Sequence, residues 1–378
     1  MKTEQTIWTA GGGWEPCHPG KSGLSPQLVL LFGSTDILGN DAALAGARQA
    51  YPGASFVGCS TAGEICGTSV SDDSLVVTAV EFTHTKIQVA DISIDEGEGS
   101  YQAGERLAQL LDRNDLVHVF VLSEGLHING SELVQGMTKH LPESVAITGG
   151  LSGDGARFKE TLVLRDGRSA RDTVVAVGFY GARLKVGYGS LGGWDTFGPE
   201  RLVTRSKGNV LYELDGKSAL ELYKQYLGEH AKGLPASGLL FPLSVRNSPA
   251  DPGVVRTILA VNEDEQCMTF AGDVAEGAYA RLMKANFDRL IDGAVGAART
   301  SHDGSGNSPD LAILISCVGR KMVLQQRIEE EVEGVRDVLG ERTVMTGFYS
   351  YGEISPFKKN EKCELHNQTM TITTFSED

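Results

Sequence analysis

The chain has 378 residues, of which 41% are hydrophobic and 22% charged. That balance excludes disordered and fibrous classes and leaves room for two or three domains. Its 34 Lys and Arg against 49 Asp and Glu give a formal charge of −15, which repels nucleic acid and anionic membrane surfaces. No apolar run approaches the roughly 20 residues of a membrane span, and residues 1–14 lack the regions of a signal peptide. A cytoplasmic chain without membrane insertion is expected. The six cysteines, Cys17, Cys59, Cys66, Cys267, Cys317 and Cys363, form no CxxC pair. They indicate neither a zinc ribbon nor a disulfide framework, and reduced thiols are expected.

Residues 1–27 are Gly-rich and polar apart from Trp8 and Trp14, and read as an irregular lead-in. A repeat starts at Leu28: an apolar strand at 28–32, an Ala-rich helix at 42–50, a second strand, and a glycine turn carrying an acid at 56–65. A weaker copy runs from the strand 117–122 to 145–154, its turn one residue shorter when Gly149 is the anchor. The third copy has a strand at 311–317, a charged helix at 324–339 and a strand and turn at 344–354, so that Gly58, Gly63 and Glu64 match Gly347, Gly352 and Glu353.

Between the copies, 74–82, 86–94, 173–180 and 184–189 alternate as strands, joined by turns suited to antiparallel hairpins. The stretch 207–227 repeats apolar residues (Val210, Leu211, Leu214, Leu220, Tyr223, Leu227) at helical intervals and reads as a helix-rich connector. Two prolines, Pro235 and Pro242, precede a strand at 254–261, and 301–309 reads as an exposed loop. The expected fold is α/β, with mixed sheets covered by helices, built from repeated strand-helix-strand units in two tightly associated domains. The boundaries expected are 1–27 for the lead-in, then 28–200 and 201–378.

These segments resemble the FIST family, which pairs a FIST N-terminal with a FIST C-terminal domain. The resemblance covers nearly the whole chain from Leu28. It is carried by the run from Gly58 to Ile65, Gly125 to Glu132 (including His127 and Asn129), Thr148 to Gly155 (including Asp154), Ser316 to Arg320, Gly347 to Ile354, and His366 to Thr371. It implies a sensory protein. The bare two-domain layout is similar to that of the bacterial nitric-oxide-sensing haem proteins, which implies non-covalent haem b, since no CxxCH is present, and signalling through a partner histidine kinase or cyclic-di-GMP enzyme.

Ser316 to Lys321 follows an apolar strand and opens a helix, a setting that favours an anion. Arg320 there either clamps a carboxylate bidentately or pairs with a neighbouring acid. Cys317 is either activated by the helix start or an inert buried thiol. Glu64 and Glu353, with Asp154 in the weaker copy, either accept hydrogen bonds from a shared ligand or brace their turns. His366, beside Asn367 in a polar run, and His127, beside Asn129 in a loop after a strand, are the candidate axial ligands of haem iron, the alternative being structural histidines. Cys17, His18 and Pro19 form a further, weaker haem-binding candidate.

The expected function is therefore a non-catalytic cytoplasmic sensor of nitric oxide. A haem-free sensor of a small metabolite such as an amino acid, and a hydrolase using Cys317, are the alternatives. Against the hydrolase, no P-loop, HExxH, Ser-His-Asp or dinucleotide fingerprint stands in its required context. The oligomeric state is left open, a homodimer included. A Soret band in purified protein separates the first reading from the other two.

Overall fold

Leu28–Gly33 and Ser55–Ser60 lie side by side as parallel strands, and the same pairing recurs for Leu116–Ser123 with Ala146–Leu151 and for Leu311–Cys317 with Val344–Ser350. The computed structural model describes residues 1–39, 41–94, 97–248, 251, 253–302, 308–357 and 361–378. Helices Asp41–Ala50, Gly130–His140 and Ile328–Leu339 make the three crossovers. The strands are apolar almost throughout because both faces of each sheet are covered. Gly58, Gly149 and Gly347 face Leu31, Val121 and Leu314 across the parallel pairs, and a Cβ there would stand 2.0, 1.8 and 1.8 Å from those residues' carbonyl oxygens. Close approach of two backbones therefore makes glycine the anchor of each repeat.

After its second strand each unit reaches into its neighbour. Glu64–Cys66 pairs with Val344–Ser350, Val163–Arg165 with Ser55–Ser60, and Gly352–Pro356 with Ala146–Leu151. The chain then returns to its own unit through Ser74–Glu81, Thr173–Tyr180 and Met370–Glu377. It leaves again at once: Lys86–Ser93 joins Thr173–Tyr180, and Leu184–Leu191 joins Met370–Glu377. The expected hairpins are thus not formed. Strands 74–81 and 86–93 stand in different sheets, and the residues between them turn a corner, because alternation marks a strand without naming its partner.

The third such position is taken by Lys2–Thr9, which pairs with Ser74–Glu81. This stretch was expected to be irregular. Its buried residues are the polar Glu4 and Thr6, so it lacks the apolar alternation of the other strands. Glu4 accepts from the amides of Lys21 and Ser22, at 3.0 and 3.4 Å.

The inward faces of the three sheets meet in one apolar core that includes Phe32, Phe120, Phe179, Ile313, Phe348 and Phe375. Helices Ser100–Gln109, Gly130–His140, Phe287–His302 and Ile328–Leu339 cover two outer faces, and Asp41–Ala50 helps cover the third. Between Leu184–Leu191 and Phe287–His302 an antiparallel sheet is inserted, with helix Ala219–Leu227 packed on it through Leu220 and Tyr223. The architecture is mixed α/β, as expected.

The helix-rich connector at 207–227 is half strand: Arg201–Lys207 and Val210–Leu214 pair, and only Ala219–Leu227 is helical. A register shift opposite Arg205 and Ser206 offsets the alternation, so Leu211 and Leu214 both point inward at a spacing that mimics a helix. In the expected loop 301–309, Ser301 and His302 close the helix Phe287–His302, and 303–307 lie outside the described residues.

Candidate functional site between the repeat units and the inserted sheet

Three glycine turns close a ring where the units meet. The Ala62 amide donates to the Tyr349 carbonyl at 2.8 Å, Gly153 to Ser60 at 2.9 Å, and Tyr351 to Leu151 at 3.2 Å. These positions correspond under the repeat, so each unit donates to the one before it. Glu64 and Glu353 brace this ring in the same way. Glu64 accepts from the Thr61 hydroxyl and from the amide and hydroxyl of Ser74, at 3.1 and 2.7 Å. Glu353 accepts from the Ser350 hydroxyl at 2.6 Å and from the amide and hydroxyl of Thr369, at 3.1 and 2.9 Å. Burial pushes the two carboxyls up to about 7 and about 8, against the lowering effect of these hydrogen bonds. Asp154, in the shorter turn, caps its own loop instead. It accepts from the amides of Phe158, Lys159 and Glu160 and from the Tyr351 hydroxyl.

Cys317 precedes the helix Val318–Leu324 but is almost fully buried, and burial pushes its thiol far up, with the Glu353 charge adding to the rise. Dehydration overrides the helix start, and the thiolate is disfavoured. Arg320 is also fully buried. Its guanidinium donates to Glu331 at 2.6 and 3.1 Å, to the Gly192 carbonyl at 2.9 Å and to that of Leu290 at 2.7 Å. Glu331 further accepts from Tyr349 and Ser316, at 2.7 and 3.1 Å. Arg320 is therefore committed to an internal pair. Its partner could have been found: Glu331 lies on the apolar face of its helix, next to Val332 and one turn before Val335.

His366 is 1% exposed, packs edge-on against Phe357, and donates from Nε2 to the Ser355 carbonyl at 2.7 Å. Burial lowers it to about 4, so the ring is neutral. His127 is exposed, its Nδ1 3.5 Å from Glu124 and 3.3 Å from Asp172. Those three side chains have the donor types of a divalent-cation site. Glu124, however, already accepts from the amides of Leu126, His127 and Ile128, at 2.9, 2.6 and 2.7 Å. The two histidines do not fit haem: one has given its Nε2 to a carbonyl inside the protein, and the other, exposed itself, turns its Nδ1 to the buried Glu124 and the exposed Asp172. In the lead-in, Cys17 is exposed and His18 lies 5.6 Å from the Trp14 ring, centroid to centroid.

The polar run after His366 has a different role, for it joins the repeat units to the inserted sheet. Asn367 Oδ1 accepts from the Thr257 amide at 3.3 Å, Gln368 Nε2 donates to the Leu239 carbonyl at 3.0 Å, and the Gln368 carbonyl accepts from Trp194 Nε1 at 2.9 Å. Thr369, next in line, is held by Glu353. A second tie is made by Asn129. Its Oδ1 caps helix Gly130–His140 by accepting from Ser131 and Glu132, and its Nδ2 donates to Asp273 at 2.7 Å. A third is Arg256, on the inserted strand Val254–Arg256, which donates to the carbonyl of Leu365 at 3.0 Å.

Two cavities open along this seam. One, of about 480 Å³, lies between Ser131 and Gln135 of the helix, Arg256 and Asp273 of the inserted sheet, and Lys362 and Glu364. The other, of about 440 Å³, lies between His127, Asn129 and Lys159 on the core side and Asn209, Ala260 and Thr269 on the inserted side. Of the residues expected at a site, Asn129 and Asn367 are thus brought to the seam and His127 to its edge. Glu64, Asp154 and Glu353 are placed in the turns beneath, and Cys317 and Arg320 are buried.

A model of the FIST N domain matches residues 27–217, and one of the FIST C domain matches residues 219–356. An uncharacterized protein of Methanocaldococcus jannaschii is 24% identical over 319 residues, which are 77% of this chain and 59% of that protein, so the chain spans less than two thirds of that relative's length. The crystal structure of a cyanuric acid hydrolase from A. caulinodans aligns over 100% of this chain and 99% of its own, at a TM-score of 0.36 and 8% identity. No helix among the described residues is long and apolar enough to cross a membrane. With both domain models matched in order along most of its length, the chain belongs to the FIST family, whose domains are sensory modules that bind small ligands and work with signalling partners.

Proposed function

We propose that this chain is a non-catalytic, haem-free sensor of a small polar metabolite of about amino-acid size, bound in the seam between the repeat units and the inserted sheet. Its signal passes to a partner such as a histidine kinase or cyclic-di-GMP enzyme. The observation that carries this is the pair of metabolite-sized cavities on either side of the Asn129–Asp273 bond, each with one wall from the core and one from the inserted sheet. A ligand there touches both bodies, so its binding energy acts on their relative position. The Asn367, Gln368 and Thr369 bonds connect that seam to Glu353 and the ring of turns.

The buried Cys317 argues against a thiol hydrolase. Hydrogen exchange of the full chain, with and without a small-molecule extract, tests the proposal. Protection gained at the seam strands Val254–Arg256 and Cys363–His366 is expected. An exchange pattern unchanged by the extract, or protection confined to surfaces away from the seam, would overturn it, as would a Soret band from stoichiometric haem.

A further inference from the structure

Arg256 is only 6% exposed, and among the described residues it makes no ion pair. Its Nε donates to the Asp273 carbonyl at 2.9 Å, and its Nη1 to the carbonyls of Leu365 and Val255, at 3.0 and 3.4 Å. Among the described residues Nη2 has no hydrogen-bond partner, and the side chain lines the larger seam cavity. A buried guanidinium is ordinarily neutralised by a carboxylate, as Arg320 is by Glu331. Carbonyl groups orient Arg256, and the charges of Glu364 and Asp273 act on it only from beyond ion-pair distance.

Ser131 lines the same cavity, and its Oγ is buried without a hydrogen-bond partner among the described residues. It sits in the first turn of an eleven-residue helix, where the backbone dipole also favours negative charge. The two groups are neighbours. A side chain at Gly272 would begin 2.9 Å from Ser131 Oγ and 3.1 Å from Arg256 Nε, so both groups crowd the same point of the backbone.

From this geometry we infer that Arg256 Nη2 and Ser131 Oγ form the carboxylate subsite of the sensed ligand, and that the ligand is a zwitterionic amino acid whose ammonium group meets the acids on the same cavity wall. This rests on the seam reading above. The charges choose the class. Against Arg256 and Lys362, the cavity presents Asp251, Asp273 and Glu364. A phosphate dianion would face that acidic excess, whereas a molecule with one carboxylate and one ammonium group satisfies both signs. Asp273 accepts from Asn129 through one oxygen, Oδ1, and among the described residues its other oxygen accepts no hydrogen bond. The one guanidinium nitrogen without a partner among the described residues, and one hydroxyl, suit the two oxygens of one carboxylate.

The test is calorimetric titration of the full chain with the twenty standard L-amino acids, with the carboxamide of any that binds, and with inorganic phosphate. At least one amino acid should bind, and its carboxamide should bind at least about tenfold more weakly. Ser131→Ala, which removes no hydrogen bond among the described residues, should weaken the amino acid by about threefold to tenfold, and Arg256→Lys by more. Equal binding of acid and amide, unchanged affinity in both variants, phosphate binding more tightly than every amino acid, or no amino acid binding at all would each overturn the subsite. Seam protection by an extract that persists in Ser131→Ala and Arg256→Lys would sink the subsite and leave the seam reading standing. Loss of any ligand-dependent protection in the wild type would sink both.

Discussion

Replacing Glu331 by Gln tests whether the Arg320 pair is a structural anchor or is replaceable. The carboxylate is fully buried, bonded twice to Arg320, and also accepts from Tyr349 and Ser316. Gln keeps the shape and one acceptor but removes the charge and turns donors toward Arg320. An uncompensated buried guanidinium remains, and breaking one side of such a pair costs about 3–5 kcal/mol. Arg320 also anchors the Gly192 and Leu290 carbonyls, so the loss should be felt where the inserted sheet joins the core. Urea unfolding at neutral pH, followed by tryptophan fluorescence, should show a lower midpoint with an unchanged slope. The double variant Arg320→Met with Glu331→Leu should regain much of the loss, because no charge is left to desolvate. A cost below about 1 kcal/mol for Glu331→Gln, the size of an exposed ion pair, would refute the reasoning.

The pH dependence of stability has a definite sign. Glu64 and Glu353 have carboxyls raised by burial from 4.5 to about 7 and about 8, so their contribution is complete below the ordinary carboxyl value and is lost as pH rises through those figures. Glu353→Gln should flatten the decline in melting temperature across that window, and an identical wild-type and variant profile would count against it. Gly347→Ala should abolish soluble folded protein, because its Cβ would lie 1.8 Å from the Leu314 carbonyl oxygen, whereas Gly11→Ala, with open space around it, should be silent in expression and circular dichroism. Thiol alkylation of the native protein, read by mass spectrometry, should modify the exposed Cys17 and spare the buried Cys59 and Cys317; early labelling of Cys317 would reopen its catalytic reading.

What was legible in the sequence follows from which forces act locally. The three units were visible because Gly58, Gly149 and Gly347 answer a steric demand inside each unit. The exchange of strands between units was not, since Ser74–Glu81 and Lys86–Ser93 carry ordinary alternation and only tertiary packing sends them to different sheets. Lys2–Thr9 was hidden by its polar buried residues. At the site, the repeat correctly singled out Glu64 and Glu353 as equivalent, while the shorter turn at Asp154 left it with a different set of partners. Asn367 was marked by its dense polar run, yet its partner Thr257 stands 110 residues away. Arg256 was missed altogether. The signal available was a charged residue between Val255 and Ile258, in a segment otherwise suited to burial, which asks what neutralises it.

The inserted sheet enters and leaves the core through strands lying side by side, with Asp195 opposite Lys284 and Thr196 opposite Met283. In the first unit the corresponding strand and helix, Lys86–Ser93 and Ser100–Gln109, are bridged by residues 94–99 alone. The scaffold therefore tolerates either a short link or a whole domain at one place, with both ends of the insertion already adjacent. Such a neck makes the sheet an exchangeable cassette. Descendants of one scaffold can replace one wall of the seam cavities while inheriting the interlocked units unchanged, so that wall can diverge faster than the architecture that supports it.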